Sequence, residues 1–414
     1  MGFPDELDIN SLLSTSNFHF IPLRTHMEIS SSDFNPFHGG QLRLADSTAV
    51  VTGESRWKEP TDIIAILSLV MHFDIPQIEL GPSTGMYPLP GQPDNTYMAY
   101  TLGTGRTSHV EVHAMRDDMS EVPLRKGDLV ALKRYARPDA NREEVSQELY
   151  RTIHQELRIF CHSILRAHEN ICSLLFVGWE EHTANPVLAL ELADFGTLRD
   201  FLWAEDLRPL GPLAAHLVLD IAAGLSALHD SGIVHGDVKT DNILVFEHPH
   251  RRAVAKLMDF EGSVILDDVK DTWFGVGGTT VWRAPECYGQ SKYDLTETDV
   301  YSFGFVAMAV LAAGYYPTKS GELGDCFLDR LSLSMETEES RMEFLMQTKK
   351  DPEDTVLELA NAWIDTNSTS TSCCKVLRII VAASLRFDPD ARQDMAFMVA
   401  LLQDYLSALL GVAL

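Results

Sequence analysis

The string His235-Gly236-Asp237-Val238-Lys239-Thr240-Asp241-Asn242 constrains this chain more tightly than any other feature. It follows a stretch, 214–229, whose apolar residues recur at helical spacing and predict an amphipathic helix. An aspartate, a lysine two positions on and an asparagine five positions on form a set suited to phosphoryl transfer. That chemistry asks a protein for positioning and charge neutralisation more than for covalent participation. Asp237 is the candidate for orienting a hydroxyl and accepting its proton, Lys239 for neutralising the moving phosphoryl group, and Asn242 for holding a magnesium ion. Asp and Asn five residues apart are common by chance; the full string after such a helix is not.

A phosphate-binding half is expected upstream. Leu102-Gly103-Thr104-Gly105-Arg106-Thr107-Ser108-His109-Val110 lies between two predicted strands, and glycines there let backbone N–H groups approach phosphates. Leu102, Gly103, Gly105 and Val110 are the candidate nucleotide contacts, although a plain hairpin turn explains two glycines as well. Val130-Ala131-Leu132-Lys133 follows, an apolar strand ending in a lysine 28 residues after Gly105. It is similar to the V-A-I-K pattern, whose lysine holds the α- and β-phosphates, although a lysine at a strand end is ordinarily a solvated charge, and Ala131 joins the candidate nucleotide contacts. The next helical stretch, 142–167, offers Glu156 as the ion-pair partner of Lys133; Glu143, Glu144 and Glu148 compete, and Phe160 one turn beyond favours Glu156. Residues 187–193 read as an apolar strand. The backbones of Glu191 and Ala193 are then candidates for binding adenine, with Leu190 at the pocket edge and Leu244 in the same nucleotide set. An ordinary core strand accounts for the apolarity equally well.

Asp259-Phe260-Glu261 offers a second magnesium-binding carboxylate, Asp259, since hard cations prefer carboxylate oxygens. With these pieces in order, the chain resembles the eukaryotic protein kinase family over about residues 97–408. Glu261 stands where that family has glycine, Gly236 where it has arginine, and Ser108 where it has a third glycine. Three further segments are similar to family markers: 278–286, ending Ala284-Pro285-Glu286; 299–304, the start of a buried helix; and Arg392, matching the arginine that pairs with Glu286. The resemblance implies an α+β, bilobal protein kinase-like fold, with a small β-rich N-lobe at about 97–192 and a larger helical C-lobe at about 193–408. Residues 1–96 are expected to form an N-terminal extension. The implied activity is Mg-ATP-dependent transfer to serine or threonine hydroxyls of a protein substrate, Lys239 and Thr279 being the serine/threonine-like features. Two alternatives stand beside it: a pseudokinase scaffold, because of Ser108, Gly236 and Glu261, and a small-molecule phosphotransferase, which also carries a His-Gly-Asp loop. Without an arginine at position 236, phosphorylation of Thr272, Thr279 or Thr280 is expected to matter less for switching.

Composition narrows the setting. A formal charge of -27 argues against a general nucleic-acid binder. No run of apolar residues approaches the roughly 18–20 needed to span a bilayer, and the N-terminus lacks a basic start followed by an apolar stretch, so a soluble cytoplasmic protein is expected. Six cysteines without a C-x-x-C pair predict reduced thiols, neither zinc site nor disulfide framework. The acidic segment from about 317 to 381 reads as a solvated helical face, with partner recruitment as the second reading.

Overall fold

The computed structural model describes residues 63–80, 87–88, 97–98, 101–104, 108–115, 118–135, 142–180, 186–204, 211–268, 278–289, 294–311, 327, 331, 337–367 and 371–411. All belong to one unit, Glu59–Leu414; the other unit, Met1–Lys58, lies outside the described residues. So do Gly105 and Thr272.

The elements are α1 (Ile63–His72), β1 (Gln77–Leu80), β2 (Tyr87–Pro88), β3 (Tyr97–Met98), β4 (Thr101–Thr104), β5 (Ser108–Ala114), β6 (Leu129–Tyr135), α2 (Arg142–Phe160), β7 (Leu174–Glu180) and β8 (Pro186–Glu191). They continue with α3 (Leu198–Ala204), α4 (Gly211–Asp230), β9 (Ile233–Val234), β10 (Ile243–His248), β11 (Arg252–Leu257), β12 (Val264–Ile265), α5 (Thr296–Leu311), α6 (Glu338–Lys349), α7 (Thr355–Asn367), α8 (Thr371–Ser384) and α9 (Met395–Leu410). Sheet therefore dominates the first part and helix the second. The helix expected over 142–167 ends at Phe160, where His162 N–H bonds tightly back to the Ile159 carbonyl, and a short 3-10 turn, Leu165–Ala167, follows.

The first part is a six-stranded sheet in the order β1-β7-β8-β6-β5-β4. Its central strand β6 is antiparallel to β5 and β8 and buried from Val130 to Tyr135. The two-residue period of a strand sends Val130 and Leu132 to one face, against Phe176, Val187 and Ala189, and Ala131, Lys133 and Tyr135 to the other, which faces the site. Residues 63–80 are built into this half. Helix α1 lies on α2, Ile66, Val70 and Ile75 are buried, and β1 adds to the sheet edge parallel to β7. Tyr87–Pro88 pairs antiparallel with Tyr97–Met98.

The helical part is organised around α4 and α5. Helix α5 is buried from Thr298 to Leu311, which explains an apolar sequence without a polar face. Helix α4 packs against α9, β11 and α5. Its length and composition would suit a membrane crossing, which amends the expectation that no stretch comes close; here 61% of its most apolar window is buried inside the protein. Asp220 in its middle is satisfied by Arg251, 2.7 Å away, and the N–H of Ala255. Among its described residues, the segment read as a solvated face has a buried side as well: Leu345, Val356, Ala360, Ile364, Val376, Ile380 and Val381 are buried, while Glu339, Glu343, Gln347, Glu358 and Asp365 are exposed. Helix α9 starts on the Asp394 side-chain cap and stops at Gly411 in the left-handed region.

Arg392 closes this part. Its guanidinium grips Glu286 at 2.5 and 2.8 Å, donates to the carbonyls of Glu297 and Arg386, and lies over the Tyr301 ring. The pair is nearly dry, so losing one partner strands the other charge in the core. Arg392→Ala is expected to destabilise the protein by about 3–5 kcal/mol in denaturant titrations. Ile66→Ala is expected to cost about 3 kcal/mol; an unchanged unfolding midpoint would show that α1 is not part of the cooperative fold.

Candidate active site

Lys133 is the centre of the site. Only 2% of it is exposed, and its Nζ lies 2.8 Å from Glu156 Oε1, 2.8 Å from Asp259 Oδ1 and 2.9 Å from Glu261 Oε1. Three different elements supply these groups: the central strand, helix α2, and the turn after β11. Burial disfavours the ammonium, but the three carboxylates outweigh it and hold the lysine pKa above its ordinary value. Burial also pushes the Glu156 carboxyl upward, with Lys133 opposing. At Asp259 burial again works upward, yet the charge and hydrogen bond of Lys133 win and the carboxyl sits below its usual range.

Glu156 is locked from every side. Besides Lys133, it accepts from the Tyr135 hydroxyl and from the Phe260 N–H at 3.0 Å. It is thus the glutamate that reaches Lys133; the side chains of Glu143, Glu144 and Glu148 are outside the described set. Asp259 has φ 65, a left-handed conformation that aspartate tolerates better than most residues. That twist sends its carboxylate toward Lys133 and the Phe260 ring into the core, where the ring meets Phe160 at 5.3 Å and His235 at 5.5 Å between centroids.

In the sequence, Ser108 and Glu261 stand as two separate departures from a pattern. They touch: the Ser108 hydroxyl donates to Glu261 Oε1, the same oxygen that faces Lys133. No signal in the sequence links residues 153 positions apart.

The His235–Asn242 loop is fixed through its backbone. Asp299, 1% exposed at the start of α5, accepts from the N–H of His235 at 2.7 Å and of Gly236 at 2.9 Å. Gly236 has φ 79, where a side chain would be strained, so glycine suits this bend. Gly278 has φ 90 and approaches so closely that an added Cβ would lie 2.7 Å from the Gly236 carbonyl oxygen. This contact brings Thr279 onto Asp237. Asp237 Oδ1 accepts from the Thr279 N–H at 2.7 Å and its hydroxyl at 3.0 Å, and Oδ2 accepts from Lys239 at 2.6 Å and Asn242 at 3.0 Å. Lys239 also reaches the Thr279 hydroxyl at 2.8 Å. Asn242 Nδ2 donates to the Asp237 carbonyl as well, which commits its amide nitrogen and turns its amide oxygen into the ligand-capable end.

Asp259 and Asn242 thus offer hard oxygen donors beside an excess of carboxylate charge. That donor set fits a magnesium ion, which keeps waters and phosphate oxygens among its ligands and needs no all-protein cage. Among the described residues, no cluster of three or more His, Cys, Asp or Glu residues has metal-holding geometry.

The remaining candidates lie on β4, β5, β6, β8 and β10 or just beyond β8. Ala131 and Leu190 pair across β6 and β8, Val110 pairs with Lys133 across β5 and β6, and Val110 and Leu244 pack against the core that contains Ala131 and Leu190. Leu102 is exposed at 52%, and Gly103 pairs with Val110 in the β4–β5 hairpin. The Glu191 N–H bonds the Ser173 carbonyl and its carboxylate pairs with Lys256, so two of its groups are engaged; Ala193 lies just beyond β8. Cys161, Cys172, Cys287, Cys373 and Cys374 are unbridged.

The model for the protein kinase domain matches residues 99–382, well over half of the chain. Among known proteins, the probable serine/threonine-protein kinase kinX of Dictyostelium discoideum is 29% identical over 174 residues, covering 42% of this chain and 15% of the relative. The rice (Oryza sativa subsp. japonica) CBL-interacting protein kinase 22 is 29% identical over 255 residues, 59% of this chain and 50% of the relative. The calcium and calcium/calmodulin-dependent serine/threonine-protein kinase DMI-3 of Medicago truncatula is 35% identical over 150 residues, 36% of this chain and 27% of the relative. The chain spans half or less of the length of these proteins. The matched residues contain the Lys133–Glu156 pair, the Asp237 network and Asp259, and the chain belongs to the protein kinase family.

Proposed function

We propose that this chain is an active serine/threonine protein kinase that uses Mg-ATP. The observation that carries the reading is the double placement of charge. Lys133 is held between Glu156 and Asp259, and Asp237, Lys239, Asn242 and Thr279 form a second hydrogen-bonded set. In this reading Lys133 binds the α- and β-phosphates, while Gly103 and Val110 cover them and Ala131, Leu190 and Leu244 enclose the base. The backbones of Glu191 and Ala193 orient that base, and Leu102 borders it; Gly105 belongs to the same set by its sequence position. Asp259 and Asn242 hold the metal, which neutralises phosphate charge when bound. Asp237 orients the substrate hydroxyl and takes its proton, and Lys239 balances charge on the group in transit.

The side-chain network favours a protein substrate over a small molecule. The segment 278–283 is laid against Asp237 through Thr279 and anchored beyond it by the Glu286–Arg392 pair, which leaves a built backbone edge at the transfer site. Dependence on Mg-ATP fits an intracellular, cytoplasmic setting. The domain that does this work is proposed to run from about 97 to 408, with 1–96 as an extension that contributes α1 and β1.

A scaffold that binds nucleotide without transfer is the second reading, and Glu261 is the observation that favours it. Its carboxylate sits on Lys133, where phosphate oxygens would have to go, and Ser108 braces it there.

Asp237→Asn is expected to lower turnover by about two to four orders of magnitude while Mg-ATP binding, followed by thermal shift, is retained. Undiminished radiolabel transfer would remove Asp237 from the proposed role. Glu261→Gln keeps the size of the side chain and deletes one negative charge beside the phosphates, so Mg-ATP is expected to bind about tenfold more tightly. Transfer that appears in this variant and is absent from the native chain would favour the scaffold reading.

A further inference from the structure

Lys349 ends α6, inside the acidic segment that sequence reading assigned to a solvated face. It is 2% exposed, among the most deeply buried large side chains of the protein. Its Nζ meets three backbone carbonyls: Val281 at 2.6 Å, Arg283 at 2.7 Å and Thr280 at 3.0 Å. The ring centres of Phe305 and Tyr301 lie 5.1 and 5.8 Å away, offering π faces to the same charge. An ammonium has three N–H donors, and three carbonyls of one loop receive them.

That loop has no helix or strand to satisfy its backbone. Buried carbonyls must still be paired, so its hydrogen bonds have to come from elsewhere. Gly278 O receives Arg283 Nη2, Thr279 O receives the N–H groups of Trp282 and Arg283, and Trp282 O receives the Ser302 hydroxyl. The other three carbonyls of 278–283 receive Lys349, with Tyr288 sharing Thr280. Lys349 is therefore the largest single external tie on this loop. The opposite side of the same loop presents the Thr279 N–H and hydroxyl to Asp237.

We propose that Lys349 is a positioning residue for the protein substrate: by gathering the carbonyls of Thr280, Val281 and Arg283 it sets the 279–283 backbone against Asp237, where the substrate chain must lie. The assignment rests on the phosphotransfer reading for its consequence, but the tie itself is a property of the fold. Lys349 touches neither substrate nor nucleotide. It acts through Thr279 and through the loop edge, and it gives the 338–349 helix a part in substrate engagement that the nucleotide side of the cleft does not share.

The test uses the full chain and two measurements. Lys349→Met keeps the apolar stem and removes the ammonium. Amide hydrogen exchange of the peptide covering 279–288 is expected to accelerate by about tenfold or more, while exchange around Lys133 and Glu156 stays at the native rate. In steady-state phosphorylation of a peptide substrate, the peptide KM is expected to rise about tenfold and the ATP KM to stay within about twofold, a split that general destabilisation does not produce. Native exchange at 279–288, or a peptide KM equal to that of the native chain, overturns the proposal; so does a parallel rise in both KM values. Should Lys349→Met fail to fold, Lys349→Arg carries the same comparison, because a planar guanidinium keeps the charge but cannot aim one nitrogen at three carbonyls. Absence of transfer by the native chain would count against the kinase reading, and the exchange measurement would then decide the loop tie by itself.

Discussion

The Lys133 ammonium is the group on which the rest of the site depends. A buried cation is tolerated only when paired and hydrogen-bonded, and this one draws together a strand, a helix and the turn after another strand. Fixing Glu156 to Lys133 fixes the rotation of α2. Glu156 in turn receives the Phe260 N–H, and so ties the backbone at Asp259 to the same point. The positive φ of Asp259 is held by these partners and by the Phe260 ring, buried against Phe160 and His235.

A second anchor works by the same logic from the helical side. Asp299 has no exposed surface to speak of, and it spends its two oxygens on the backbone of His235 and Gly236, with His229 at 2.9 Å. The loop that carries Asp237 is thus held by its main chain, which frees the side chains of Asp237, Lys239 and Asn242 to face one another. A glycine at position 236 adopts φ 79 without a Cβ penalty. The substitution that looks like a loss when compared with arginine also relieves the backbone at a bend the catalytic loop requires.

Much of this was legible in the sequence because the motifs occur in chain order and each carries its own chemistry. The apolar strand ending in Lys133, the His235–Asn242 string and Asp259 named the groups, and Phe160 one turn on pointed to Glu156 among four glutamates. What escaped was of two kinds. Contacts between residues far apart in sequence leave no local trace, so Ser108 and Glu261 read as two unrelated departures although one hydroxyl joins them. Burial within a charged segment is equally silent: composition pointed to a solvated face over 317–381, which Glu339, Glu343 and Glu358 supply, but not to the apolar residues that α7 and α8 present to the core, nor to the dry Lys349. Periodicity also understated α4, where Asp220 interrupts an apolar run but finds its partners inside the protein.

The local charge balance bears on the metal proposed for this site. Around the cleft, Lys133 and Lys239 stand against Glu156, Asp237, Asp259 and Glu261, two cations against four carboxylates. The chain as a whole carries -27, but most of that charge is distant, and screening over about 8 Å at physiological ionic strength removes much of its influence. The two-charge local deficit is not screened in the same way, because Glu156 and Lys133 are dry and Glu261 is only 18% exposed. A bare triphosphate would add negative charge to a site already short of cations. In the proposed reading, Asp259 and Asn242 would hold a divalent ion that corrects this balance, and Glu261, by taking a place on Lys133, would make that correction more necessary here than a glycine would.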